Sequence, residues 1–142
     1  MPTLDKEKEI SDFLFEWIRA EELPLDVDLP TSNTIRLGSA VVRSPDIIVT
    51  NKQTGKTLGI AIKSGVKELP IGLYPAFKEM QEQFRETDND FVVVSTAPPS
   101  GVLGSNVEEA GIPLFQIQKP SEIIDVLKPR LEALAEKDPS GH

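Results

Sequence analysis

Cysteine is absent from this chain of 142 residues, and the single histidine is His142 in a polar terminal stretch. These absences exclude disulfides, thiolate nucleophiles and zinc-thiolate centres, and they rule out catalysis by a Cys/His or Ser/His/Asp relay. There is no run of about 18 apolar residues, and no basic-then-apolar leader follows Met1. Neither a membrane span nor an export signal is therefore expected, and a cytoplasmic location is the default. No internal repeat or low-complexity linker divides the chain. An enzyme built on it has to work with carboxylates, lysine, hydroxyls and a hard metal ion held by oxygen. The length suits one domain with one core, expected over 1–137, followed by a flexible tail at 138–142.

Acidic residues outnumber basic ones 23 to 15, for a net charge of −8. That balance ordinarily opposes a nucleic-acid partner, because phosphate binding is largely counterion release by Lys and Arg. The distribution reverses the argument locally. Residues 31–67 hold Arg36, Arg43, Lys52, Lys56, Lys63 and Lys67 against Asp46 alone, a charge of +5 between acidic flanks. Such a segment can raise a positive field that faces phosphates, and the candidate contacts are Arg36, Arg43, Lys52, Lys56 and Lys67. The plainer reading makes these side chains the solvated surface of a hairpin, Lys52 and Lys56 above all.

Periodicity organises the rest. From Asp5 to Glu22, Ile10, Phe13, Leu14, Trp17 and Ile18 recur at helical spacing, with Glu7, Glu9 and Glu16 among the residues assigned to other faces. Trp17 within that stripe reads as a core anchor. Leu23–Asn33 reads as an extended arm and turn, and Thr34 to about Val42 as one strand. Pro75 opens a helix to about Glu86 with Phe77, Met80 and Phe84 as its buried face. Phe91–Ser95 has the continuous apolar character of a central strand. A short helix around Ser105–Ala110 stops at Gly111, Pro113–Ile117 reads as a further buried strand, and a last helix starts at Ser121 and is kinked or divided at Pro129. Ser100-Gly101-Val102-Leu103-Gly104-Ser105 lies where a glycine-rich turn can receive a phosphate. It lacks both G-x-G-x-x-G and a GKS/T ending, so a nucleotide-binding α/β protein is only a minor alternative.

The chemistry concentrates in Pro45-Asp46-Ile47-Ile48-Val49, a turn over Asn51–Lys56, and Leu58-Gly59-Ile60-Ala61-Ile62-Lys63-Ser64-Gly65. Proline is tolerated at a strand start. Strand alternation sends Leu58, Ile60 and Ile62 to one face and Gly59, Ala61 and Lys63 to the other, so Lys63 shares its side with nothing larger than alanine. A hairpin of this kind brings Asp46 and Lys63 together. The bland reading makes Asp46 a turn residue and Lys63 a solvated strand end.

This hairpin resembles the core of the PD-(D/E)xK nuclease superfamily, in which a Pro-Asp strand start is followed, after a turn, by an acidic residue, one apolar residue and a lysine. Pro45-Asp46 and Lys63-Ser64-Gly65 match, whereas Ala61 stands at the second acidic position. The resemblance implies an α/β, restriction-endonuclease-like three-layer core with a mixed β-sheet flanked by helices. It implies metal-dependent phosphodiester hydrolysis on nucleic acid, DNA before RNA, with Mg²⁺ as cofactor and Mn²⁺ as its substitute. Catalytic roles fall to Asp46, Lys63 and Glu79. Asp46 and Glu79 are the metal ligands, because some relatives carry the missing carboxylate on the helix after the lysine strand, which here offers Glu79 and Glu82. An acidic residue of the first helix, Glu9 or Glu16, is a further candidate. Two other accounts of Ala61 stand beside migration: a nuclease-fold binding or regulatory module without catalysis, or a substitution that silences an active enzyme. No membrane partner is expected, and a homodimer or a larger protein partner is compatible with the reading.

Overall fold

The structure is a computed structural model and describes residues 2–37, 40–64 and 66–136; the tail expected at 138–142 lies outside the described residues. Helix α1 spans Pro2–Ala20. Ile10, Leu14 and Ile18 recur every four residues and are buried to 5% exposure or less, while Phe13 is 42% exposed. The expected apolar stripe is thus too wide: at about 100° per residue Phe13 stands beyond its edge, and only the four-residue row faces the sheet. Trp17 packs partly buried against this cluster, as a core residue does.

The expected arm contains a short strand, β1 (Leu25–Asp28). The single strand expected from Thr34 to Val42 is instead two, β2 (Thr34–Leu37) and β3 (Ala40–Arg43), paired antiparallel in a ribbon of their own. The central hairpin follows as β4 (Ile47–Asn51) and β5 (Thr57–Lys63). Then come α2 (Tyr74–Glu86), β6 (Asp90–Ser95), α3 (Gly101–Ala110), β7 (Leu114–Gln116) and α4 (Ile123–Ala135). The glycine-rich segment 100–105 is the opening of α3 itself. Ser100 caps that helix, its Oγ accepting from the Leu103 N–H at 3.1 Å. Ser121 lies in a 3₁₀ turn before α4 rather than at its cap, and α4 runs on through Pro129.

The five-stranded sheet has the order β1-β4-β5-β6-β7. β1, β4 and β5 are antiparallel neighbours, whereas β5-β6 and β6-β7 are parallel and need the crossovers that α2 and α3 supply. β4, β5 and β6 are buried almost throughout. β7 is a half-buried edge strand. Side-chain alternation divides the core in two. Ile47, Val49, Leu58, Ile60 and Ile62 meet α1 and α4 on one face. Ala61, Phe91 and Val93 meet Phe77, Met80 and Phe84 of α2, Leu103 and Val107 of α3, and the inner face of the β2-β3 ribbon on the other. This is a three-layer α/β arrangement, a mixed five-stranded sheet between helices, as the resemblance implies. Among the described residues no helix is long and apolar enough to cross a membrane.

Two residues lock the hairpin. Gly59 lies beneath Phe84, where an added Cβ would stand 2.7 Å from the ring. Asn51, fully buried, accepts through Oδ1 from the Gln53 and Thr54 N–H groups, closing the turn in the manner of an Asx motif. Its Nδ2 donates to the carbonyls of Leu134 and Glu136, tying the turn to the end of α4.

Candidate active site

The register of β4 and β5 assembles the centre. Ile47 pairs with Ile60, which carries Asp46 opposite Ala61 one step further along. The Asp46 N–H donates to the Ile60 carbonyl at 3.0 Å. Asp46 Oδ2 accepts from the Ile62 N–H at 2.6 Å, a charge-assisted contact that orients the carboxylate between the strands. Lys63 follows at the end of β5, and its carbonyl accepts from the Thr96 N–H at 3.0 Å, fixing the backbone beneath the side chain. Asp46, Ala61 and Lys63 all border one cleft of about 820 Å³.

A second carboxylate arrives from α1. Glu7 lines the same cleft, near enough to Asp46 for the two carboxyls to perturb each other. Burial, then the charge of Asp46 and the hydrogen bond to it, raise the Glu7 carboxyl above its usual range, and Lys63 partly offsets this. Burial likewise raises Asp46, against the Ile62 N–H, Lys63 and Glu7, which favour its ionised form. Both shifts favour the protonated carboxyl, with partial burial the largest cause at each. Glu9 and Glu16 are exposed on the other side of α1. The signal for Glu7 was present in the helical period: at about 100° per residue it falls inside the arc of Ile10, Leu14 and Ile18. A glutamate on the buried stripe marks itself out.

Glu79 also lines the cleft, on the wall formed by α2. Its Oε1 accepts from the Arg43 guanidinium at 3.3 Å. Among the described residues no group of three or more His, Cys, Asp or Glu side chains stands close enough to hold one metal ion. Glu7 and Asp46 nonetheless fit a hard cation. Both donors are anionic oxygens, their proton affinity is raised, and Mg²⁺ is commonly held by one or two carboxylates together with waters and substrate phosphates.

The basic residues of 31–67 are dispersed. Arg43 lines the cleft. Arg36 is exposed on β2, and Lys67 is exposed in the loop after β5. Lys52 and Lys56 flank the hairpin turn, and β5, seven residues long, separates that turn from Lys63 by about 20 Å. Lys56 pairs there with Asp88.

No protein-family model matches the chain, and no curated protein matches it. Two solved structures are similar in fold. Protein VC1899 from Vibrio cholerae superposes with a TM-score of 0.55 at 19% identity, over 91% of this chain and 33% of that one. A repair endonuclease from Pyrococcus abyssi superposes with a TM-score of 0.49 at 14% identity, over 80% of this chain and 47% of that one. The chain thus spans less than half the length of either.

Proposed function

We propose that this chain is a PD-(D/E)xK-type nuclease that hydrolyses phosphodiester bonds in nucleic acid, DNA before RNA, with Glu7 in place of the carboxylate that Ala61 lacks. The observation that carries this reading is the placement of two partly buried carboxylates, Glu7 and Asp46, together with Lys63 on the wall of one cleft. Glu7 and Asp46 are the residues to hold Mg²⁺ or Mn²⁺. When bound, such an ion polarises a phosphate and makes water a stronger nucleophile near neutral pH. Both carboxylates must be ionised to act as ligands, so metal binding competes with protons at this site. The Ile62 N–H keeps Asp46 aimed into the cleft while this happens. The Lys63 ammonium stabilises negative charge developing on the phosphate oxygens.

The test pairs calorimetry with cleavage. Mn²⁺ is expected to bind the full chain with one specific site that Asp46→Asn and Glu7→Gln each remove. Cleavage of single-stranded, double-stranded or branched oligonucleotides is expected to require the metal and to be lost in Asp46→Asn, Glu7→Gln and Lys63→Ala. No Mn²⁺ site and no cleavage on any substrate, in a folded protein, would overturn the enzyme reading. A second reading has its own support in Ala61, buried and without an oxygen at the strand position: a nuclease-fold module that binds and does not cut. It predicts nucleic-acid binding without cleavage by the chain or by Ala61→Glu, which returns a carboxylate to that face.

A further inference from the structure

Beyond the apolar packing of its inner face, the β2-β3 ribbon is hydrogen-bonded to α2 through Arg43. The Arg43 N–H donates to Gln83 Oε1 at 2.8 Å, and its guanidinium donates to Glu79 Oε1 at 3.3 Å. Glu79 and Gln83 stand one helical turn apart, and both line the cleft that holds Glu7, Asp46 and Lys63. The two bonds differ in kind. The main-chain bond sets where Arg43 stands, while the ion pair is more than half exposed on both sides, at 55% and 53%, where water competes and such pairs are weakly held. A guanidinium offers five N–H donors in a planar fork. Among the described residues this one meets a single side-chain acceptor oxygen. Glu79 is also separate from the Glu7–Asp46 pair, since no three acidic side chains gather around one point.

We propose that Arg43 is the phosphate-binding side chain of the cleft and that Glu79 occupies its guanidinium until a phosphate of the nucleic-acid strand displaces the carboxylate. The proposal rests on the nuclease reading above. A phosphate matches the fork with two parallel hydrogen bonds, where Glu79 makes one. Because Gln83 holds the backbone, the exchange needs rotation of the side chain only. Glu79 is then a gatekeeper of affinity rather than a metal ligand, and it weakens binding of any strand that does not seat a phosphate against Arg43.

The experiment measures fluorescence anisotropy of a labelled oligodeoxynucleotide, single-stranded and paired, with the full chain across a salt series without divalent ions. Mn²⁺ calorimetry is run beside it. Arg43→Ala is expected to weaken binding about tenfold and to reduce the log–log salt slope by about one. Glu79→Gln is expected to tighten binding several-fold, and to change nothing once Arg43 is already Ala, because the two act as one unit. The Mn²⁺ titration is expected to be the same in Glu79→Gln as in the unmodified chain. Loss of the Mn²⁺ site in Glu79→Gln, weaker oligonucleotide binding in that variant, or equal tightening in the Arg43→Ala background would each overturn the proposal. Binding that ignores Arg43 while Asp46→Asn still abolishes the Mn²⁺ site refutes the exchange and leaves the nuclease reading standing. Absence of all oligonucleotide binding refutes both.

Discussion

Adding one methyl group at Gly59 should damage both the fold and the site. A Cβ there would lie 2.7 Å from Cε2 and Cζ of Phe84 and 3.1 Å from Cγ of Pro45. Phe84 is fully buried and packs against Phe91 with ring centroids 5.9 Å apart, so the ring has no free space to enter. Overpacking of this kind costs about 1–3 kcal/mol. At about 2.1 cal/mol/K of unfolding entropy per residue, 142 residues have about 0.3 kcal/mol/K, so Tm should fall by about 3–10 °C in Gly59→Ala. Scanning calorimetry measures the fall directly. Phe84→Leu should relieve the clash, so the double variant should be more stable than the two single losses predict by about 1 kcal/mol. Pro45 precedes Asp46, and its displacement should also weaken Mn²⁺ binding. An unchanged Tm, or strictly additive losses, would refute the close approach of strand and ring as the reason for glycine.

The raised carboxyls of Glu7 and Asp46 have a definite pH consequence. Folded groups with raised pKa hold their protons more tightly than unfolded ones, so their contribution is fully present below the ordinary values of 4.5 and 3.8 and is lost as pH rises through the folded values. The combined Glu7→Gln/Asp46→Asn variant should therefore gain Tm relative to the parent as pH increases, and an advantage that grows toward acid would reverse the sign. Asn51→Ala removes four hydrogen bonds from a buried position and should cost about 2–4 kcal/mol in urea unfolding; a loss under about 0.5 kcal/mol would show that solvent replaces those partners. Arg130→Ala removes the 2.9 Å pair with Asp90 and the stacking over Phe115. It should cost about 1 kcal/mol, with no effect on Mn²⁺ binding, and any shift in that titration would contradict the separation of the two ends of the sheet.

The hairpin was legible because two kinds of information coincided in one short segment. Period-2 alternation assigned Leu58, Ile60 and Ile62 to one face and Ala61 and Lys63 to the other, and the polar stretch Asn51–Lys56 fixed where the chain reverses. The helices α2 and α4 were legible from their apolar rows. Where the reading failed, local pattern was weak or the missing information was tertiary. β1 is four residues of alternating Leu, Asp and Val between prolines, too short to stand out from an extended arm. Thr34–Val42 carries strand-forming residues over most of its length, so alternation alone gives one strand where the structure has two, β2 and β3. Ser100 and the glycines after it look like a loop by composition, yet a serine cap starts a helix there. The basic residues of 31–67 fall in one stretch of sequence that reads either as a phosphate-facing patch or as a solvated hairpin surface, and the hairpin places its tip and its base at opposite ends of the sheet. Glu79 was named from its position beside a buried stripe, which places it at the cleft but says nothing of Arg43 across it.

Asn51 also bears on the order in which the molecule can form. Its contact with Leu134 spans 83 residues of sequence, a long loop for folding to close. Until α4 docks, the Asn51 amide has no carbonyls to meet, and the turn joining β4 to β5 holds a polar group that cannot be buried without loss. Contacts of such separation form late, because loop-closure entropy has to be met before they stabilise anything. A chain emerging N-terminus first can therefore pair β4 with β5 and close their turn through Asn51 Oδ1, but it satisfies the Asn51 amide only when α4 docks. The strands that carry Asp46 and Lys63 gain their final rigidity from the opposite end of the sheet, at the close of folding.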